Sequence, residues 1–333
     1  MIFSHPVFRK TLVYAIAVGC LAWVMHGVRV DELVSHMRSL QLWWILPALV
    51  LDVLSTLFHG LRWQLLLRPS GHVTWRQTAK AVYAGLFVNE ILPMRAGEFV
   101  RGYLVTRWMG VSFAPVLSSM ITERVFDGSL LLLGLCVFAF FESLPERVAN
   151  AGFILGAAWV IAIGVLVLLT VFKRRPSGAG SAKAGRLWVV AKRITSFLSR
   201  VIDGLRAVWS SPYLVPALVV SFVVLSLQAM SFWLVMKAYG LLVPLWVPAV
   251  VLIMIRLGTA VPNAPANIGP YQFFCVLGLT FFGIDKTTAT GFAIVLFLVM
   301  TIPLVTLGFI AFVRSGVTLG EIREARKSHH NRR

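Results

Sequence analysis

The sequence predicts an all-α polytopic membrane protein with about six full transmembrane helices and two re-entrant hairpins, arranged as an inverted repeat. The residues A, V, I, L, M, F, W, Y and C make up 58% of the 333-residue chain, and charged residues only 13%. Soluble globular domains average about 45–50% apolar and about 25% charged residues, so a soluble fold is excluded. Uncharged runs recur along the chain, and two further apolar segments are interrupted by proline, glycine and polar residues.

Six runs have the length of a transmembrane helix. A helix of about 20 apolar residues crosses a hydrocarbon core of roughly 30 Å. Lipid offers no hydrogen-bond partner to an open backbone, so these runs must be helical. They are residues 11–28, 42–61, 115–141, 151–172, 213–237 and 287–313.

The first run follows Arg9 and Lys10, a pattern that signal peptides and first membrane helices share. It continues as an apolar run past Cys20, and no A-x-A cleavage site follows that residue. We therefore expect an uncleaved first helix, with cleavage next to Cys20 as the alternative.

Basic residues in the connections predict the orientation. The net charge is +18, and residues 173–212 carry nine Lys and Arg against the single acid Asp203. This stretch and the basic tail 314–333 should be cytoplasmic, while 29–41 and 142–150 should face the other side, which leaves both termini cytoplasmic. Within the basic stretch, residues 187–209 are consistent with an amphipathic helix on anionic headgroups or with a solvated loop.

Residues 81–109 and 241–282 do not fit single crossings. Proline fixes φ and removes a hydrogen-bond donor, so a continuous helix through either segment is disfavoured. The loop orientations require each segment to enter and leave on the same side, which makes it a re-entrant hairpin. Pairs of short helices with interfacial loops are the alternative. The interrupting residues are Asn89, Glu90, Pro93, Arg95, Gly97, Glu98 and Arg101 in the first segment, and Arg256, Pro262, Pro265, Gly269 and Pro270 in the second.

The order helix, helix, hairpin, helix therefore occurs twice with opposite orientation in one membrane domain, first in residues 1–141 and again in 151–313. Both hairpin tips contain a Pro-x-x-x-Gly step, Pro93 to Gly97 and Pro265 to Gly269. Inverted repeats with broken helices that meet near the bilayer midplane are typical of secondary transporters.

Glu123, Arg124 and Asp127 lie well inside the predicted span 115–141. A charged side chain at the centre of a membrane helix costs at least about 2.5–3.5 kcal/mol, so it usually faces a cavity or a partner. Glu123 and Asp127, four residues apart, share one helix face. We expect them to line a cavity. The alternative is an internal salt bridge that only locks two helices together.

The hairpin tips supply further polar groups. Arg95, Arg101 and the amides of a helix that starts near Gly97 suit a phosphate or another anion. The alternative is that both arginines snorkel to the surface and Glu98 pairs with one of them. In the second tip, Asn263, Asn267 and Gln272 offer neutral hydrogen bonds.

Arg256 is the single charge in residues 241–282. We expect it to contact an anion or to pair with an acid such as Asp52 or Asp127. No phosphate-binding loop, zinc-ligand pair or nucleophile elbow is visible, so we expect no enzyme activity, no cofactor and no metal. Nucleic-acid binding is disfavoured because the basic residues are divided among short loops.

Two stretches carry a resemblance to a known family. Residues 89–101, NEILPMRAGEFVR, and 122–127, TERVFD, resemble the lysylphosphatidylglycerol synthase transmembrane-region family, also called flippase-like domain proteins. Residues 261–272, VPNAPANIGPYQ, are similar to the second signature of that family. Gln272 stands where the family usually has Glu, and Asn267 where Gly is usual. The resemblance spans nearly the whole chain.

This resemblance implies an eight-pass-like bundle with re-entrant segments and lipid handling in the plasma membrane, here a bacterial inner membrane. In the family a soluble aminoacyl-transferase domain can follow the membrane region. This chain ends at Arg333 after a short basic tail, so we expect no aminoacyl transfer. Stand-alone members are associated with hopanoid, glycolipid or polyprenyl-lipid pathways.

We therefore predict a lipid flippase that holds a polar or anionic headgroup between the hairpin tips. Arginines 95, 101 and 124 would bind the anion, and Glu98, Glu123 and Asp127 would orient them and carry a proton. The alternatives are an accessory scaffold for a lipid-synthesis enzyme, docked on residues 173–212, and a membrane-embedded transferase. The predicted lipid-binding residues are Asn89, Arg95, Glu98, Arg101, Glu123, Arg124, Asp127, Arg256, Asn263, Asn267 and Gln272.

Overall fold

The computed structural model describes residues 6–92, 95–141, 146–171, 186–260 and 264–316. Within these ranges the chain is helical and contains no strand, which confirms the predicted all-α class. The helices are α1 (Pro6–Met25), α2 (Val30–Arg38), α3 (Leu42–Leu67), α4 (Trp75–Ile91), α5 (Ala96–Met109), α6 (Phe113–Phe141), α7 (Glu146–Val171), α8 (Arg186–Trp209), α9 (Leu214–Ala238), α10 (Trp246–Gly258), α11 (Pro270–Thr280) and α12 (Lys286–Val313).

Several helices are long and apolar enough to cross a bilayer. In the described residues four meet both conditions, over Leu42–Ser70, Gly152–Val171, Leu214–Ala238 and Lys286–Val313. A fifth candidate is the pair Val13–Met25 and Val30–Arg38, which is bent by 84°. The chain is thus a multi-pass membrane protein. Helix α6 has 29 residues and matches the predicted span 115–141, but it carries Glu123, Arg124 and Asp127.

Both segments predicted as hairpins are helix pairs. Helices α4 and α5 are separated by residues 92–95, and α10 and α11 by residues 259–269, which include a 3-10 turn at Pro265–Asn267. The first pair begins at Trp75, six residues before the predicted boundary, and the second at Trp246. The breaks fall where proline, glycine and polar residues cluster. Re-entry of the two pairs into the membrane remains a prediction.

The end of α3 and the basic stretch around α8 differ from parts of the sequence prediction. The second span was predicted to end at residue 61, but α3 continues to Leu67 and so includes Arg62. The predicted amphipathic stretch is helix α8, so the alternative of a loop is wrong there. The side chains of Val201 and Leu205 on α8 are buried, and the Ser118 hydroxyl of α6 donates to the Val201 carbonyl oxygen at 2.8 Å. This part of α8 therefore packs on protein.

The chain forms two compact units. Unit 1 comprises Met1–His59, Ala79–Arg101 and Phe222–Ser315, and unit 2 comprises Gly60–Thr78, Gly102–Ser221 and Gly316–Arg333. Each unit draws residues from both predicted repeats, and the repeat relationship itself remains a prediction. The core of unit 1 includes Met236, Cys275 and Phe292, whereas unit 2 has smaller buried clusters.

Candidate functional site

The first tip is built on a close approach of α4 and α5 in unit 1. A Cβ atom on Gly97 would overlap the Gly85 carbonyl oxygen and lie 2.7 Å from Asn89 Oδ1, so glycine permits this packing. The Gly97 N–H donates to Asn89 Oδ1 at 2.7 Å. Asn89 therefore caps the start of α5, and the Gly97 amide predicted to bind an anion is already used by the protein.

Glu98 and Arg101 form an ion pair one turn apart on α5. Arg101 Nη2 lies 3.3 Å from Glu98 Oε2, and the two side chains are 9% and 27% exposed. Glu98 thus pairs with an arginine, as the alternative interpretation expected. Arg101 is buried and does not extend to the surface.

Within unit 1 the first tip contacts the end of the helix that leads into the second tip. Arg95 follows the break after α4 and has a φ of 54°, a left-handed backbone that non-glycine residues seldom adopt. Its Nη2 donates to the carbonyl oxygen of Thr259 at 2.6 Å. Thr259 directly follows α10, so a guanidinium of the first tip is bonded to the end of the helix that leads into the second.

Two non-glycine residues of the second tip also have left-handed backbone conformations. Ala266 and Asn267 have φ values of 55° and 52°, and Gly269 has a φ of 95°. A Cβ atom on Gly269 would lie 2.9 Å from the Cα atom of Ala17 in α1, so the tip packs directly on that backbone. Among the described residues, positive φ outside glycine occurs only at Arg95, Ala266 and Asn267. Such strain often marks functional sites.

Gln272 caps the second tip. Its Oε1 accepts a hydrogen bond from the Gly269 N–H at 2.8 Å, and the side chain is buried. The glycine of each Pro-x-x-x-Gly step thus donates its N–H to a carboxamide oxygen, of Asn89 in one tip and Gln272 in the other. Asn263 lies outside the described residues.

Arg256 on α10 bonds within unit 1. Its Nη2 donates to Gln228 Oε1 of α9 at 2.5 Å. Of the two acids predicted as its partner, Asp52 belongs to the same unit and interacts electrostatically with Arg256. Asp127 belongs to unit 2.

Unit 2 contains a buried ion network around Arg62, which the sequence analysis did not single out. Its Nη1 lies 2.5 Å from Asp127 Oδ1, and its Nη2 lies 3.2 Å from Glu123 Oε1. Glu123 is fully buried and Arg62 is 2% exposed. Arg124 is 45% exposed and lies 3.8 Å from Asp127, so Arg62 and not Arg124 is the principal partner of the two acids.

Arg62 directly follows the predicted span 42–61, where a charge ordinarily marks the end of an apolar run. Helix α3, which contains Arg62, is 26 residues long. Its two acidic partners on α6 lie 61 and 65 residues later in the sequence, so the apolar pattern does not reveal the pairing. Arg62 pairs with both acids and Arg124 contacts one of them, as the alternative of an internal salt bridge expects; the cavity-lining role of these residues stays a prediction.

The predicted site residues therefore fall into two groups. Unit 1 contains the described residues of both tips, and unit 2 contains the ion network around Arg62. The described residues contain no group of three His, Cys, Asp or Glu side chains that could hold a metal ion. Unit 1 contains Asn89, Arg95, Glu98, Arg101, Arg256, Asn267 and Gln272, and unit 2 contains Glu123, Arg124 and Asp127.

Comparison with known proteins gives one family. The model of the Lysylphosphatidylglycerol synthase TM region family matches residues 11–308. A UPF0104 membrane protein of Methanothermobacter thermautotrophicus is 22% identical over 86% of this chain and 90% of its own length.

Two other relatives match over shorter stretches. A UPF0104 membrane protein of Pyrococcus horikoshii is 23% identical over 52% of this chain, and the match spans about half (53%) of the relative. The glycosyltransferase AglD of Haloferax volcanii is 27% identical over 36% of this chain and 20% of its own length.

Proposed function

We propose, from the premise that this chain belongs to the Lysylphosphatidylglycerol synthase TM region family, that it moves a polar-headed lipid between the leaflets of a membrane. The observation that carries the proposal is the contact of the first tip with the end of α10 through Arg95 and Thr259. It places a cationic group and a backbone carbonyl oxygen together at the ends of two broken helix pairs.

Placing these polar groups inside a bilayer costs free energy. Charged side chains inside a bilayer are retained mostly where they pair with each other or face a polar pathway. Backbone at a helix break is tolerated at membrane depth only where it is buried or lines a cavity. In this proposal a lipid headgroup passing the first tip would contact the guanidinium of Arg95, while its tails remain in the hydrocarbon.

The arginines define the headgroup chemistry. A guanidinium binds phosphate or carboxylate in a bidentate fork, which makes an anionic headgroup the best fit for Arg95. The similarity of part of the chain to a glycosyltransferase supports a role in lipid or glycan metabolism. We extend the proposal to a sugar-bearing or polyprenyl-linked phosphate lipid as the candidate substrate. In this proposal the protein is a transporter without enzyme activity, and it lies in the plasma membrane with both termini cytoplasmic.

Reconstitution tests the proposal. Purified protein is placed in vesicles that contain a fluorescent phospholipid or a fluorescent glycolipid, and a membrane-impermeant quencher reports the label that reaches the outer leaflet. We expect protein-containing vesicles to equilibrate the label faster than protein-free vesicles, and Arg95→Ala to slow this exchange. Exchange at the protein-free rate for both lipids would contradict the proposal.

A role as an accessory scaffold is the second candidate. Helix α8 favours it, because Leu198 and Arg200 are exposed while the opposite face packs on α6. Co-purification of a lipid-synthesis enzyme that is lost on Leu198→Asp, together with no translocation by the isolated protein, would support the scaffold and not the transporter.

A further inference from the structure

A second polar cluster lies within unit 1. It comprises Asp52 on α3, Glu90 on α4, Gln228 on α9, Arg256 on α10 and Tyr271 on α11. Arg256 bonds to Gln228 and interacts electrostatically with Asp52, and Tyr271 interacts electrostatically with Asp52, Arg256 and Glu90. Five helices therefore bring ionisable or amide side chains to one region.

Two atoms of the cluster are buried without a hydrogen-bond partner in the described structure. They are Glu90 Oε2 and the hydroxyl oxygen of Tyr271. An unsatisfied buried polar atom costs about 1–3 kcal/mol, and more if it is charged. In a native protein such an atom indicates local strain, a redox or catalytic role, or a bound water or ion. The two orphaned atoms thus point to a species that binds here.

The charges of the cluster do not balance when both acids are ionised. Asp52 and Glu90 supply two negative charges, whereas Arg256 supplies one positive charge. Helix α5, which packs on α4, and the turn before it carry Arg95, Glu98 and Arg101, but Arg95 donates to the Thr259 carbonyl oxygen and Arg101 pairs with Glu98. Tyr83 interacts with Asp52, and Cys275 with Tyr271, and neither of these two residues adds a positive charge. One monovalent cation would make the cluster neutral.

Glu90 is the better of the two acids for that cation. Asp52 already has Arg256 as an electrostatic partner. Glu90 lies in the last turn of α4, which ends at Ile91. The partial negative charge at a helix C-terminus disfavours a second negative charge there. A protonated carboxyl is neutral and can both donate and accept a hydrogen bond, so it suits this position.

We propose that Glu90 is a proton-binding residue that couples lipid movement to proton flow, with the proton taken from and returned to water at Oε2. The inference rests on the proposed function. It deepens that function by assigning the driving ion and a residue for it, next to the tip where Arg95 bonds to Thr259. Binding and release of the proton break no other covalent bond.

Infrared spectroscopy tests the proton site without any transport. The C=O stretch of a protonated carboxyl is separate from that of a carboxylate. We expect purified protein at neutral pH to show this band, shifted in D2O, and Glu90→Gln to lose it. The control Glu32→Gln removes an exposed carboxylate that lies 2.6 Å from Arg29, and should leave the band unchanged. A band that persists in Glu90→Gln would overturn the proposal.

Vesicle measurements then test the coupling. With wild-type protein, an imposed proton gradient should change the rate of lipid translocation severalfold, and Glu90→Gln should abolish that dependence. Equal rates with and without the gradient would refute coupling while leaving translocation itself intact. A response to a sodium gradient in place of a proton gradient would also refute it. If no lipid moves under any condition, the proposed function fails, while the infrared result still decides the proton site.

Discussion

The guanidinium of Arg95 donates a 2.6 Å hydrogen bond to the carbonyl oxygen of Thr259, so the break between α4 and α5 is bonded to the end of α10. Thr259 supplies a carbonyl oxygen at the end of a helix, where the backbone acceptors have no partner in the helix itself. A cation is the natural partner there, because a helix C-terminus carries partial negative charge. The contact therefore stabilises two helix ends and holds a guanidinium at the tips.

Replacement of Arg95 tests this role directly. Arg95→Ala removes a charged hydrogen bond worth about 1.5–3 kcal/mol, so we expect translocation to slow by roughly 10-fold or more. Arg95→Lys should recover only part of the rate, because an ammonium lacks the planar fork of the guanidinium. The vesicle quenching assay measures both variants.

The matched control is Arg38→Ala, which removes an exposed arginine of α2 in the same unit. It should translocate at the wild-type rate. Equal translocation rates for Arg95→Ala and Arg38→Ala would show that Arg95 does not bind the headgroup.

The Arg62 network predicts a large effect on stability. Removal of one partner from a buried ion pair costs about 3–5 kcal/mol, since it leaves a charge buried without compensation. Arg62→Met should therefore strongly lower the thermal stability of the detergent-solubilised protein. The double variant Arg62→Met/Glu123→Leu should lose less than the sum of the single variants, because the two side chains interact.

An exposed pair provides the comparison for this prediction. Arg29 and Glu32 lie 2.6 Å apart, with 69% and 40% of their side chains exposed. Arg29→Met should cost no more than about 1 kcal/mol. If Arg62→Met proves no more destabilising than Arg29→Met, the buried network does not lock unit 2.

The sequence predicted the helices well and the contacts poorly, for a physical reason. Apolar runs must be helical in lipid, so the predicted span 213–237 falls within one residue of α9 at each end. The proline and glycine residues also correctly predicted the positions of the breaks between α4 and α5 and between α10 and α11. The roles of Asn89, Gln272 and Arg62 depend on which donor or acid each meets in the folded chain, and residue type alone does not specify that.

Helix α2 is an element that the apolar pattern did not predict. Its region was interpreted as a connection facing away from the cytoplasm, and the structure has a nine-residue helix there. The chain turns at Gly27, whose φ of 74° is available to glycine without strain. The two helices are bent by 84° across this four-residue break, and the apolar pattern does not predict that angle.

The left-handed residues of the second tip predict opposite effects for two substitutions. Ala266→Gly relieves a strain of about 1–2 kcal/mol and loses part of that to the flexibility of glycine in the unfolded chain. We therefore expect a small gain in thermal stability. Gly269→Ala adds a Cβ atom 2.9 Å from the Ala17 Cα atom at a φ of 95°, and should sharply reduce the yield of folded protein.

Gly19→Ala is the control for both substitutions. It lies in α1 with no heavy atom within 4 Å of the added Cβ, so it should be neutral or slightly stabilising. Size-exclusion profiles and thermal unfolding in detergent measure all three variants. A well-folded Gly269→Ala would show that α1 does not pack on the tip as closely as the structure has it.

Asp285 predicts an acid-sensitive start of α12. Its Oδ1 accepts a hydrogen bond from the Thr288 N–H at 3.0 Å, which caps the helix. Partial burial tends to raise the pKa of this carboxyl, but the hydrogen bonds from Thr288 and Thr287 outweigh it and hold the pKa below its ordinary value. A carboxyl with a lowered pKa stabilises the fold fully above the ordinary value of about 4, and loses that contribution as the pH falls through the lowered value.

Thermal unfolding in detergent between neutral pH and pH ~3 therefore checks the cap across its titration window. The wild type should lose stability at the acid end of this range, and Asp285→Asn should lose less there, because the amide still caps the helix but does not titrate. Asp285→Ala should cost about 1 kcal/mol at neutral pH, where the cap is fully formed. An acid-induced loss as steep in Asp285→Asn as in the wild type would assign the sensitivity to another carboxyl.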